Sequence, residues 1–161
     1  MPKLLEPKGE YLIRSGYAGR TAQEMDDDLQ ENDYLLSQSA YLYPAAFCYE
    51  MLCEIVENCS EQGWDGFDAI PIDREVYFKV LSLIHNFPVG IPAPDLVPEN
   101  DGAITLEWQV NQKQELSVSI NKDNVCYFVF IDGSEKRKGS YVLQESLPPF
   151  LINMINQIIE H

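Results

Sequence analysis

Asp65, Asp68, Asp95 and Asp101 are the side chains of this sequence best suited to chemistry, because all four fall in turn-rich stretches where a carboxylate can be held at a fixed angle. Two of them within ~4–6 Å of each other in a cleft would separate their pKa values and serve as acid and base, or would hold a hard cation. A plainer use competes. Aspartate in a tight turn accepts bonds from backbone amides just ahead of it, and an oxygen so occupied is lost to a substrate. The run Asp95-x-x-x-x-Glu99-x-Asp101-Gly102 does not follow the spacing of an EF-hand loop. A small carboxylate-dependent enzyme or divalent-cation module centred on these four is therefore the alternative reading.

Other catalytic sets are missing. His85 and His161 are the two histidines. His85 falls in the last turn of an expected helix, where an imidazolium complements the dipole. Cys48, Cys53, Cys59 and Cys126 contain no C-x-x-C pair, and neither histidine has a metal-ligand spacing to a cysteine pair. Three of these cysteines share one helical pattern as small hydrophobes, as a reducing compartment permits. No GxxxxGK[ST] loop is present, and Gly63-x-x-Gly66 lacks a third glycine and a preceding strand. No cofactor is implied.

Charge points elsewhere. Twenty-six acidic residues against 11 basic ones give a net charge of −15, which repels DNA, RNA and anionic lipid and favours a basic protein partner. Glu50, Glu54, Glu57 and Glu61 recur at helical spacing two residues behind the apolar stripe Cys48, Leu52, Ile55 and Cys59. Two residues turn ~200° around a helix, so the glutamates line the face opposite the core. Like charges so spaced cost a few tenths of a kcal/mol each, and Glu57 and Glu61 oppose the dipole. These four, with Asp26-Asp27-Asp28 as a second clamp, are the expected partner contacts. A nucleic-acid mimic is the stricter version of the same idea. Lys136, Arg137 and Lys138 form the one basic cluster, on an expected hairpin loop.

With 161 residues, 45 % of them hydrophobic, the chain suits one globular domain, and no apolar run reaches the ~18 residues of a membrane helix. The start Met1 to Pro7 has no apolar leader segment, so the cytoplasm is the expected location. Residues 1–40 read as an acidic arm with partial disorder, holding a short strand at Glu10 to Arg14 and a weak helix from Ala22 to Leu36. The body, 41–161, opens with a helix from Pro44 to a left-handed Gly63. Asp73 caps a second helix from Arg74 to about Asn86, which Pro88 stops. The stretch from Pro88 to Pro98 is too proline-rich for regular structure and reads as an extended strap.

Alternation then marks strands: Ile104, Leu106, Trp108 and Val110, followed by Leu116, Val118 and Ile120, each with one buried and one wet face. Val125 to Ile131 is apolar on both faces, which predicts a central strand or one with a second cover. Tyr141 to Leu143 offer a short fourth strand. Prolines 148 and 149 suit the first turn of a C-terminal helix carrying Leu151, Ile152, Ile155, Ile158 and Ile159. The expected class is α+β, with two N-terminal helices and one C-terminal helix on a three- or four-stranded antiparallel meander.

Two motifs join these elements. The corner Trp64-Asp65-Gly66-Phe67-Asp68-Ala69-Ile70-Pro71 precedes Pro94-Asp95-Leu96-Val97-Pro98 and Asp101-Gly102-Ala103-Ile104-Thr105-Leu106-Glu107-Trp108. Over about residues 60–133 the chain resembles a widespread uncharacterised bacterial family of small soluble proteins with W-D-G-[FY]-x-A-x-P and P-D-x-V-P…D-G-x-[IL]-x-L-E-W motifs. Small proteins of that kind often accompany toxins, mobile elements or phage conflict systems. The resemblance thus implies an inhibitor, antitoxin or immunity-like interaction protein in preference to an enzyme. Trp64 and Phe67 are expected to pin the corner against the strap and Trp108.

Overall fold

The computed structural model describes residues 44–160, which fall within the unit Gln38–His161. The arm at 1–40, with its expected strand and helix and with Asp26, Asp27 and Asp28, lies outside the described residues, as does His161. Helices α1 (Pro44–Asn58) and α2 (Arg74–His85) precede strands β1 (Asp95–Pro98), β2 (Ile104–Asn111), β3 (Gln114–Ile120), β4 (Val125–Asp132) and β5 (Glu135–Val142), and α3 (Pro149–Ile159) closes the order. The strands form one antiparallel sheet in sequence order. The class is α+β as expected, but with five strands where three or four were expected.

One strand, β1, is added, and the short fourth strand expected at Tyr141 to Leu143 begins earlier, at Glu135, as β5. Proline cannot donate to a ladder, so the strap reads as non-strand. At the sheet edge a donor is dispensable, and Asp95 to Pro98 pairs with Glu107 to Ile104. Asp132 pairs with Glu135 across the two-residue turn Gly133-Ser134, with φ +60° at Gly133. The basic cluster therefore lies in β5 and not on a loop.

α1 stops five residues before Gly63. Asn58, Cys59 and Ser60 are weak helix formers, and the Cys59 carbonyl accepts from Ile72 N at 2.9 Å instead of continuing the helix. Glu61 consequently lies beyond the helix that carries Glu50, Glu54 and Glu57. Asp73 caps α2 as expected, its side chain accepting from Glu75 N at 2.8 Å. Lys79 reaches from α2 to the β3–β4 turn and donates to the carbonyls of Asn121, Lys122 and Asp123, while Lys122 pairs with Asp73 at 2.8 Å.

The helices cover one face of the sheet. Leu106, Val118, Ile104, Ile120, Leu116, Phe130 and Cys126 from the strands pack with Cys48, Leu52, Val76, Val80, Ile84, Leu151, Ile155 and Ile158, all buried. At ~25 cal/mol per Å² this apolar burial is the main term holding the layers together. Gly139 belongs to the same packing: a Cβ there would come 2.9 Å from the Phe128 ring, which needs that space to meet Phe150 at 5.5 Å.

Candidate functional site

The Trp-Asp-Gly corner is a loop closed on itself by hydrogen bonds, two of them to one Asp65 carboxylate oxygen. Asp65 Oδ1 accepts from Phe67 N at 2.9 Å and Ala69 N at 3.2 Å, Gly63 N donates to Ala69 O at 2.9 Å, and Trp64 Nε1 donates to Ile70 O at 3.0 Å. Gly63 has φ +76°, and a Cβ on it would strike the Phe67 carbonyl at 2.9 Å, so only glycine closes this loop without strain. Phe67 does not anchor the corner. It stands 85 % exposed at the tip of the turn that Asp65 folds, and Ala69 takes the buried place.

Trp108 braces the strap, donating to Pro92 O at 2.8 Å and meeting Phe87 at 6.1 Å, while the half-buried Trp64 packs against the core and donates within its own loop to Ile70 O. The two motifs meet through backbone: Ile70 N donates to Asn100 O at 2.8 Å, and Gly102, at φ +87°, passes so close that a Cβ would lie 3.2 Å from Pro71 O.

Of the four aspartates, Asp65 and Asp68 stay in the corner, Asp95 opens β1, and Asp101 lies in the turn between β1 and β2. Asp101 Oδ1 accepts from Ala103 N at 3.0 Å, the same local use that Asp65 shows. Among the described residues no three His, Cys, Asp or Glu side chains are grouped to hold a metal ion. The cysteines offer no nucleophile in the core: burial, and then Asp95, push the Cys48 thiol up to about 12, and burial raises Cys59 and Cys126. Of the three cysteines in the expected helical pattern, Cys53 is exposed on α1 and Cys59 is buried just past its end.

The sheet face away from the helices holds a feature not foreseen. Register sets Glu107 of β2 opposite Ser117 of β3 and Val129 of β4, and sets Thr105 opposite Ser119 and Tyr127 in the next row. Small hydroxyl side chains on β3 thus lie between larger walls on β2 and β4. The resulting trench, of about 390 Å³, is rimmed at one end by Glu99, Asn100 and Asp101. Its walls stand two strand spacings apart, ~10 Å. Tyr127 is 52 % exposed and Val129 36 %, so β4 is flanked by strands as expected but has no second cover among the described residues.

Electrostatics in the trench are one-sided. Asp95 is the direct cross-strand partner of Glu107, and Glu115 lies one step along the same face of β3. Partial burial, followed by the charges of Glu115, Glu99 and Asp95, raises the Glu107 pKa above the ordinary glutamate value. The ion pairs among the described residues are Lys79–Glu75, Lys122–Asp73 and Arg137–Glu135, and none involves a trench carboxylate. Lys138 shares the Glu107 row but three strands away, ~14 Å. The signal was present in the sequence: the wet positions of two alternating strands, Thr105, Glu107, Ser117 and Ser119, become a site once Tyr127 and Val129 stand beside them.

Glu50, Glu54, Glu57 and Glu61 are all exposed, the first three on α1 and the fourth in the turn after it. No helix among the described residues is long and apolar enough to cross a membrane. Comparison with protein-family models, characterised proteins and solved structures returned no match.

Proposed function

We propose that this chain is a non-enzymatic, acidic interaction protein of the inhibitor, antitoxin or immunity type that binds a basic protein. The observation that carries the reading is the crowding of Glu107 by Glu115, Glu99 and Asp95, which with partial burial raises the Glu107 pKa, while no ion pair among the described residues involves any of the four. Repulsion of this kind is relieved when a partner brings positive charge, and a surface of net charge −15 steers such a partner in. The exposed glutamates of α1 extend the same field over a second face. The resemblance to small bacterial proteins found near toxins and mobile elements agrees with it. The carboxylate-enzyme alternative is the weaker reading, since Asp65 and Asp101 each spend an oxygen on backbone amides and no three His, Cys, Asp or Glu side chains among the described residues are grouped to hold a metal ion.

Affinity capture from a host lysate, run at low and at high salt with duplex DNA as competitor, tests the proposal. Retention of basic proteins at low salt and their release at high salt is the expected result. Displacement by DNA would mark the partner as a nucleic-acid binder and this chain as a mimic. Recovery of acidic or neutral partners alone, held regardless of salt, sinks the reading.

A further inference from the structure

The geometry points to a defined arginine site on the open face of the sheet: the trench between Glu107 and Tyr127 takes an arginine side chain presented by an extended segment of the partner. The inference rests on the basic-partner reading above and says where and how that partner is held.

Shape comes first. Ser117 and Ser119 are the small side chains on β3 between Glu107 on β2 and Tyr127 and Val129 on β4, so the depression runs along the strand direction and is open to solvent. A volume of about 390 Å³ lies within the ~300–1,000 Å³ of side-chain and small-ligand pockets. A long side chain entering from above meets Thr105, 6 % exposed, and the two serines as floor.

Chemistry selects the side chain. A guanidinium is planar, so one face can lie on the half-exposed Tyr127 ring while its forked N–H groups reach the Glu107 carboxylate and the serine hydroxyls. An ammonium can also sit over the ring, but it has neither a flat face to stack there nor a fork to pair with the carboxylate at the same time. Charge complementarity also sets the direction of the segment. Glu99 and Asp101 guard one end of the trench and Glu115 flanks it at the other, so a further basic residue on either side of the bound arginine meets a carboxylate. Two cations of the described residues are already engaged elsewhere: Lys79 is held by the β3–β4 turn and Arg137 by Glu135 and the Phe130 ring.

Titration of the full chain with a short oligoarginine peptide, followed by amide chemical shifts and calorimetry, tests the site, with oligolysine as comparison. Shifts centred on Ser117, Ser119 and Tyr127 are expected, with weaker binding of oligolysine. Glu107→Gln should weaken oligoarginine binding on the order of tenfold, the size of one charge-assisted bond. Tyr127→Leu should weaken it about two- to fivefold, the size of an exposed cation–ring contact. Ser117→Leu, which fills the floor without touching charge, should abolish the localised shifts. Joint replacement of Glu50, Glu54, Glu57 and Glu61 by glutamine should leave the trench shifts in place. If that joint variant weakens binding as much as Glu107→Gln does, or if shifts spread over α1, the contact is diffuse charge. The trench site is then overturned and the basic-partner reading survives. If neither peptide binds at low salt, both fail.

Discussion

The two faces of the sheet differ more than any two strands do. Along one register row, Leu106, Val118 and Phe128 turn toward the helices, and in the next Glu107, Ser117 and Val129 turn away. A shift of one residue in the ladder would exchange the two sets, so burying the first row fixes the second in place without any interaction of its own. The covered face is chosen for volume and apolarity. The open face keeps serines, a clustered set of carboxylates and an exposed tyrosine that contribute little to folding, which is where a binding role has room to be written.

Substitutions can break or sharpen that contrast. Phe130→Ala, in the fully buried row, should cost about 3–5 kcal/mol in a denaturant titration, while its neighbour Val129→Ser should cost under about 1 kcal/mol. Equal losses would mean that the open face is covered and structural. Between the extremes stands the corner: Gly63→Ala should cost about 2–3 kcal/mol, from the positive φ and the collision with the Phe67 carbonyl, and a thermal melt near wild type would show that the loop relaxes freely. Lys79→Met should cost about 1–3 kcal/mol, because three turn carbonyls lose a nearly buried donor, and amide exchange should rise first at 121–124.

The smallest effect has the opposite sign. Glu107 has a raised folded pKa, so its protonation supports the fold at low pH, and that support is lost as pH rises through the raised value. Glu107→Gln should therefore stabilise the protein at neutral pH by a few tenths of a kcal/mol, the size of a cross-strand like-charge contact, with the gain vanishing below about pH 4. A variant less stable than wild type at neutral pH would show that Glu107 has a partner that helps the fold.

Local signals were legible in the sequence and nonlocal ones were not. Asp73, Pro149 and the apolar stripe of α1 act within a turn or two of chain, so their spacing announced the helices before any contact was known. β1 gave no such pattern, and β5 showed one only at its end, from Tyr141. As edge strands they bury little, so prolines and lysines are tolerated where alternation would otherwise appear. Asp132-Gly133 carried the tighter hairpin signal, and it was outweighed by the charged run behind it. The trench needs three strands in register, and no window of sequence contains it. Phe67 was misplaced for a related reason. Its type argued for burial, but a backbone turn held by Asp65 decides where a ring points.

Placing Lys136, Arg137 and Lys138 in β5 also bears on how the molecule behaves when crowded. Among the described residues, five antiparallel strands in simple order leave two margins without a paired strand, each a template onto which another copy could add its own strand. One margin is four residues long and ends in Pro98, which offers no amide to a newcomer. The other is eight residues long, and there three successive positive charges would face three more on any identical strand laid against it in parallel register. In an otherwise acidic chain, the like charges of this cluster oppose such strand addition at the longer margin.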